Sequence, residues 1–313
     1  MSESVPSQVT PAPPPQLAVI VVNYNAGALL ADCVEAVLAS PVRLDLIISD
    51  NGSTDGSLAM VRERYGRDLR VTLVENGANL GFAGGNNRVL PIAAAPYLLF
   101  LNPDCIVGAD TLRRMLSFMD VTPDAGMAGC VVRNPDGSEQ TASRRAIPDP
   151  WIGLVRTLRL DRLWPRIAAG RRLDLTDEPL PNVPTKVQAI SGSFMLVRRA
   201  ALDEVGPMDE GYFLHCEDLD WFVRFDRAGW GIYLVPDVEV VHHKGACSTS
   251  RPLRVEWHKH RGMARFFGKF QRADYSLPFA LLVHLGIWAH FGLLVLGNGA
   301  RRIGSWAGRG GAR

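Results

Sequence analysis

The chain has 313 residues, 47% of them hydrophobic and 21% charged, an ordinary globular composition with ample material for a large core. A formal net charge of +2 and the lack of any long run of like charge argue against nucleic-acid binding. Five scattered cysteines (Cys33, Cys105, Cys130, Cys216 and Cys247) form no C-x-x-C pair, so neither a disulfide framework nor a thiolate zinc site is expected, and a reducing cytoplasm is the natural compartment.

Residues 1–16 carry five prolines and no basic segment ahead of an apolar core, which reads as a disordered leader and not a signal peptide. Residues 17–22, L-A-V-I-V-V, form a continuous apolar strand. Asn23, Tyr24, Asn25 and Gly27 then turn the chain, and the spacing of Leu29, Leu30, Cys33, Val34, Val37 and Leu38 predicts a helix. A second strand over 44–49 ends in D-N-G-S-T-D-G-S, which sets Asp50 at a strand's carboxyl end. A third, over 71–75, leads through N-L-G-F-A-G-G-N-N into a helix reaching toward Ala95. Next comes Y-L-L-F-L-N-P-D-C at 97–105, an apolar run suited to a strand buried on both faces of a parallel sheet. The order β-α-β-α-β-α-β predicts an α/β, Rossmann-like, doubly wound and mostly parallel sheet flanked by helices.

In such sheets ligands bind outside the carboxyl ends of the strands, which makes Asp50 and Asp104 candidates. Asp104 has no basic neighbour within several residues and suits a divalent metal, although Asn102-Pro103-Asp104 is also an ordinary turn sequence. Asp50 is placed to accept hydrogen bonds from a ribose hydroxyl or a base N–H, or it is a structural turn acid. The G-x-G-x-x-G spacing of a dinucleotide fold is missing from both glycine-bearing loops, which weighs against a nicotinamide oxidoreductase.

A helix over 111–119 and a strand over 125–132 follow. The next fifty residues lack periodicity and carry Trp151, Trp164 and the basic pairs Arg144-Arg145 and Arg171-Arg172, the pattern of an insertion over the site, mobile or in contact with an acceptor. A-I-S-G-S-F-M-L-V-R-R at 189–199 is a small-residue turn feeding a strand. Y-F-L-H-C-E-D-L-D-W at 212–221 then places three carboxylates in four positions ahead of a helix. Acids are favoured at a helix N-terminus, but capping alone needs fewer of them. Glu217 and Asp218 point in different directions, so one can take a structural contact while the other meets a substrate hydroxyl as general base.

After a strand over 231–235, His242 and His243 end a second apolar run and are suited to be neutral nitrogen ligands beside Asp104, with Lys244 and the loop after it available to a phosphate. Residues 254–270 mix basic and aromatic side chains in a pattern that suits an anionic surface. Residues 277–297 are the most apolar stretch. About 20 apolar residues can cross a bilayer, yet His284, His290 and several glycines favour a membrane-lying or re-entrant segment, with a span or a buried helix as alternatives. Arg301, Arg302, Arg309 and Arg313 fit the cytoplasmic side.

The motifs V-V-N-Y-N, D-N-G-S-T-D-G-S, N-L-G-F-A-G-G-N-N, L-N-P-D, S-G-S-F-M-L-V-R-R, E-D-L-D-W and H-H-K-G, in this order, resemble the family-2 inverting glycosyltransferases of the GT-A fold, most closely their bacterial rhamnosyltransferase branch. The resemblance covers about residues 17–270. It implies a glycosyltransferase domain over 17–252 and a C-terminal helical, membrane-associating extension over 253–313. It further implies that Asn23, Asn25 and Asp50 hold the nucleotide, that Asn79, Gly81 and Gly84 border it, that Asp104 with His242 or His243 binds Mg2+ or Mn2+, and that Asp218, beside Glu217, is the base. The family's metal motif is Asp-x-Asp, whereas this chain has Asn102 in the first position, an amide able to contact ribose or a metal-bound water. The implied donor is dTDP-L-rhamnose, and the implied acceptor is a lipid-linked, polyprenyl-diphosphate glycan of the cell envelope, met at the membrane surface. Another hexosyl or galactofuranosyl transferase of the same fold is the alternative within enzymes; an inactive nucleotide-binding scaffold is the alternative outside them.

Overall fold

A computed structural model describes residues 13–157, 174–243, 245 and 252–310. Most of the leader, Trp164, Arg171, Arg172, Lys244, the loop over 246–251 with Cys247, and the side chains of the terminal arginines lie outside the described residues.

Strands β1 (Leu17–Asn23), β2 (Leu44–Asp50), β3 (Val71–Glu75) and β4 (Tyr97–Leu101) pair in parallel in the order 3-2-1-4. Helices α1 (Ala28–Leu38), α2 (Ser57–Tyr65) and α3 (Gly81–Val89) supply the crossovers. Every residue of β1 and β4 is buried, as a strand covered on both faces requires. Alternate residues serve two cores. Val19 and Val21 pack with Leu30, Val34 and Val61 of α1 and α2, while Ala18 and Ile20 pack with Ala83, Phe100 and the aromatic side chains of a later helix.

The rest of the sheet is mixed. β8 (Phe194–Arg198) runs antiparallel to β4, β6 (Ala125–Arg133) antiparallel to β8, and β9 (Gly231–His242) parallel to β6. Short β5 (Cys105–Val107) and β7 (Thr185–Lys186) pair antiparallel with β9. A hydrophobic run states that a strand is buried and not which way it runs; the mostly parallel sheet expected is parallel through its first four strands and mixed beyond them, with β6 and β9 again parallel. The apolar run from Tyr97 stops at Leu101, as its closure by Asn102, Pro103 and Asp104 implies, and Cys105 opens β5 at the far side of the sheet. One boundary differs from expectation. The segments 231–235 and 238–242 are one strand with a register shift between Cys130 and Val131, opposite Pro236, which cannot donate to a ladder.

Helices α4 (Thr111–Val121), α5 (Pro150–Thr157), α6 (Arg199–Val205) and α7 (Glu217–Arg227) pack around this sheet. Fully buried Trp221 anchors α7 through edge-on contacts to Phe100 at 5.0 Å and Phe225 at 5.3 Å. Helix α8 (Pro252–Phe266) is tied to α7 by Lys269 just beyond it, whose ammonium meets Asp220 at 2.6 Å and Asp209 at 2.8 Å. The last helix, α9 (Leu277–Gly310), contains 21 residues, Leu277–Gly297, long and apolar enough to cross a membrane, of which 11% is buried. One face of α9 packs on the body, Phe279 against Trp151 and Trp288 and Phe291 against Trp257. The other exposes Leu277, Leu281, Leu282, Leu285, Leu293 and Leu296.

Candidate active site

The carboxyl ends of β1 and β2 lie side by side, with Asn23 opposite Asp50. Asn23 Nδ2 donates to Asp50 Oδ1 at 2.7 Å and to the Ser53 and Ser57 hydroxyls, and the backbone N–H groups of Gly52 and Ser53 donate to Asp50 Oδ2 at 3.1 and 3.0 Å. Asp50 is 3% exposed and shapes its own turn, the structural role weighed for it above. Asn25, held at φ 55°, accepts from Thr54 N at 2.8 Å and braces the β1 loop against the β2 loop. Asn79 Oδ1 accepts from Gly81 N at 2.9 Å. Gly81 needs to be glycine: its φ is 77°, and a Cβ there would stand 2.3 Å from Phe213 O, which accepts from Phe82 N at 3.0 Å. That contact fastens the loop before α3 to the loop before α7. A Cβ on Gly84 would meet Leu80 at 3.0 Å, so its smallness serves local packing.

The turn after β4 brings together residues distant in sequence. Asn102 N donates to Ser193 O at 3.0 Å, Cys105 N donates back to Asn102 O at 3.1 Å, and β5 then pairs Cys105 with His242. Asp104 and His242, 4% and 7% exposed, therefore meet, with Asp104 Oδ1 at 3.0 Å and Asn102 Nδ2 at 3.2 Å from His242 Nε2. On the other side of the ring, Nδ1 lies 2.7 Å from Gln140 Oε1. The Gln140 amide nitrogen donates to His242 O and Asn134 Oδ1, so its oxygen faces the ring and Nδ1 carries the proton. Nε2 and the Asp104 carboxylate oxygen then converge from the end of β9 and the turn before β5, an imidazole nitrogen and a carboxylate oxygen in the relation of two ligands of one cation. Two ligands about 2.1 Å from a Mg2+ in adjacent octahedral positions are about 3 Å apart, so the pair fits one. Among the described residues no cluster of three or more His, Cys, Asp or Glu side chains is placed to hold a metal ion. His243 joins the group only through its backbone, N–H to Asp104 O at 2.9 Å, because alternation along β9 sends its side chain to the opposite face from His242.

The acidic cluster follows two residues in the left-handed region, His215 at φ 70° and Cys216 at φ 71°, a conformation that costs free energy and bends the chain sharply into α7. Its three acids have different surroundings. Asp220, fully buried, is paired with Arg224 at 2.8 Å and with Lys269, which makes it structural. Glu217 is 5% exposed; burial, and then the neighbouring Asp218 charge, push its carboxyl up to about 8, and its Oε2 has no hydrogen-bond partner. Asp218 accepts from Leu219 N at 2.8 Å through Oδ1 and forms an ion pair with Arg145 through Oδ2. A Cβ on Gly192 would come within 3.0 Å of that Oδ2, so the small-residue turn at 191–193 makes room for the carboxylate.

A cavity of about 530 Å³ joins these parts. It is lined by Asn102, His242, Glu217 and Asp218 and, from α8, α9 and the turn between them, by Met263, Phe266, Phe267, Val283 and Ile287 together with Lys259, Gln271 and His290. Asn23, Asn25, Asp50, Asn79, Gly81, Gly84, Asp104 and His243 do not line it. Gln140 and Arg145 do, and no sequence motif marks Gln140, while Arg145 stood out only as half of a basic pair. The stretch expected to be mobile or acceptor-contacting is fixed near its start: buried Arg144 is bidentate on Glu139 at 2.7 and 3.1 Å and donates to Glu178 O at 2.6 Å.

A family model described as glycosyl transferase family 2 matches residues 18–206. Over 252 residues, 75% of this chain and 78% of the relative, the sequence is 34% identical to an N-acetylglucosaminyl-diphospho-decaprenol L-rhamnosyltransferase of Mycobacterium tuberculosis. Over 250 residues, 77% and 88% of the two chains, it is 25% identical to the rhamnosyltransferase WbbL of Escherichia coli. Among solved structures, the fold is similar to that of a mannosyltransferase from Pyrobaculum calidifontis in complex with GDP-Man and Mn2+, with a TM-score of 0.57 and 17% identity over 92% of this chain and 81% of that one. GalNAc-T7, solved with UDP, GalNAc and Mn2+, gives a TM-score of 0.59 at 15% identity over 83% of this chain and 49% of its own. Because the family match takes in all four parallel strands, the Asn-Pro-Asp turn and the small-residue turn beside Asp218, the chain belongs to glycosyltransferase family 2, an enzyme family whose GT-A fold it shares.

Proposed function

We propose that the protein transfers L-rhamnose from dTDP-L-rhamnose, with inversion, to a sugar carried on a polyprenyl diphosphate at the cytoplasmic face of the cell membrane. The observation that carries this reading is the cavity lined both by Glu217, Asp218 and His242, where a sugar hydroxyl can react, and by apolar side chains of α8 and α9, against which a prenyl chain can lie. The mycobacterial relative, named for a diphospho-decaprenol rhamnosyl transfer, supports both the sugar and the lipid, and WbbL supports the sugar.

Asp218 takes the proton of the acceptor hydroxyl while the hydroxyl oxygen bonds to the anomeric carbon and the bond from that carbon to the donor phosphate breaks on the opposite face. One displacement gives inversion. Asp104 and His242, with Asn102 beside them, would hold a Mg2+ or Mn2+, which supplies positive charge against the charge growing on the departing nucleoside diphosphate. Gln140 keeps the His242 proton on Nδ1 and so leaves Nε2 as a ligand. Burial keeps Glu217 largely neutral near neutral pH, while Asp218 is the acid in contact with the Arg145 guanidinium. Asn23, Asn25, Asp50 and the loop from Asn79 border the nucleotide.

The outer leucines of α9 and the basic side chains of α8 support a helix lying on the membrane surface. Packing of Phe279 through Phe291 against the body leaves one face free, which suits lying better than spanning. The test is incubation of the purified protein with dTDP-L-rhamnose, Mn2+ and a polyprenyl-diphosphate N-acetylglucosamine. Formation of rhamnosylated lipid is expected. Transfer from a galactofuranose or other hexose donor, with dTDP-L-rhamnose ignored, would move the assignment to the alternative within the same fold.

A further inference from the structure

Arg145 enters the cavity wall from the stretch between β6 and α5 and pairs with the carboxylate assigned as the base. Its Nη2 also donates to Ile190 O at 3.2 Å, while its Nε is closed off from solvent without a hydrogen-bond partner. A buried cationic N–H left unpaired is unfavourable, and a guanidinium that swings off Asp218 can offer it to an anion. Asp218, meanwhile, has Oδ1 engaged by Leu219 N and Oδ2 covered by a guanidinium that does not release its proton. An acceptor hydroxyl arriving at Asp218 finds the reactive oxygen occupied. Drawing Arg145 away frees Oδ2 of its cationic partner and opens it to the hydroxyl, and another anion of matching geometry can do it. Phosphate oxygens match the planar fork of arginine as well as a carboxylate does.

We propose that Arg145 binds a diphosphate group, and that the acceptor's own diphosphate draws it off Asp218, so that the base is uncovered only when an acceptor is in place. The inference rests on the reading of Asp218 as the base and of the acceptor as a lipid diphosphate. With donor alone in the site, Arg145 stays on Asp218 and water meets a covered base, so the donor is protected from hydrolysis. The donor's nucleoside diphosphate is the other source of the same chemistry. The acceptor is favoured because Arg145 stands against the group that must touch the acceptor, whereas Asp104 and His242 form a separate pair suited to the donor's metal.

The experiment compares full-length wild type with Arg145→Gln and Arg145→Lys. It measures dTDP affinity in Mn2+, KM for a polyprenyl-diphosphate N-acetylglucosamine and for a neutral alkyl N-acetylglucosaminide, and donor hydrolysis without acceptor. Arg145→Gln should raise KM for the diphosphate acceptor by about tenfold or more, the loss expected for a charge-assisted contact. It should leave dTDP affinity and the KM for the neutral acceptor unchanged, and raise both donor hydrolysis and the rate of transfer to the neutral acceptor, because Asp218 is then uncovered without a diphosphate. Arg145→Lys, which keeps the charge and the fold but loses the fork, should fall between. Weaker dTDP binding with an unchanged acceptor KM would assign Arg145 to the donor and overturn the proposal. Unchanged KM and hydrolysis in both variants would make the ion pair structural and overturn it as well. A wild type that ignores the lipid diphosphate defeats the acceptor reading first, a result distinguishable because no variant is needed to see it.

Discussion

Gln140 shows how much of a site can depend on one uncharged side chain. Its carbonyl holds the proton on His242 Nδ1 at 2.7 Å, and its amide is fixed by His242 O and Asn134. Gln140→Leu should leave the fold intact and weaken Mn2+-supported dTDP binding about 10- to 100-fold, the usual cost of removing such an outer partner. Titration of dTDP at fixed Mn2+ checks this, and wild-type metal dependence would contradict it. Glu217 makes a second prediction. The unfolded chain releases this proton near the ordinary 4.5, while the folded protein keeps it up to about 8. The fold therefore binds the extra proton between those values, and its stability falls as pH rises through the window. Glu217→Gln, permanently neutral, should lose less Tm than wild type between pH 5 and pH 8; parallel melting curves would contradict the assignment. At this scale the positions of Asp104 and His242 at strand ends and of Glu217 and Asp218 at a helix start were legible in the sequence. Gln140 and Arg145 were not, since their partners lie 102 and 73 residues away and only the folded path of the chain brings them near.

At the scale of elements, apolar runs located β1 to β4 and β8 to within a residue or two, since burial leaves a clear pattern in composition. Strand direction leaves none. The antiparallel insertion of β8 between β4 and β6 became visible only in the pairing, and it is β5 crossing to β9 that carries Asp104 to His242. Helix α9 was legible as apolar but not as two-faced. Its inner face packs on Trp151, Trp257 and Phe267, and its outer face carries leucines exposed by 56% at position 281, 68% at 285 and 72% at 296. Leu281→Ser, Leu285→Ser and Leu296→Ser combined should release the protein from sedimenting anionic vesicles while sparing transfer to a short-chain, soluble acceptor. Unchanged sedimentation would assign that face to something other than a lipid surface. Truncation after Phe270 is a blunter test, because it also removes Val283 and Ile287 from the cavity wall.

Across the whole molecule, the proposed reaction path draws on three separate stretches of chain. In that proposal the first half supplies the nucleotide side, the β4 turn with β9 the metal pair, and the first turn of α7 the acid. The Gly81–Phe213 contact joins the first and the third, and Lys269 binds the C-terminal helices to Asp220 two residues beyond the base. The most direct test of this account is the substitution Asp218→Asn, read by dTDP-L-rhamnose affinity and by transfer rate under saturating donor and acceptor. The side chain keeps its shape and loses its proton acceptor. Donor affinity should stay at the wild-type value while transfer falls about 10²- to 10⁴-fold, the contribution of a positioned general base. Near-wild-type transfer by Asp218→Asn, with transfer lost instead in Glu217→Gln, would contradict the assignment and move the base one residue back along the helix.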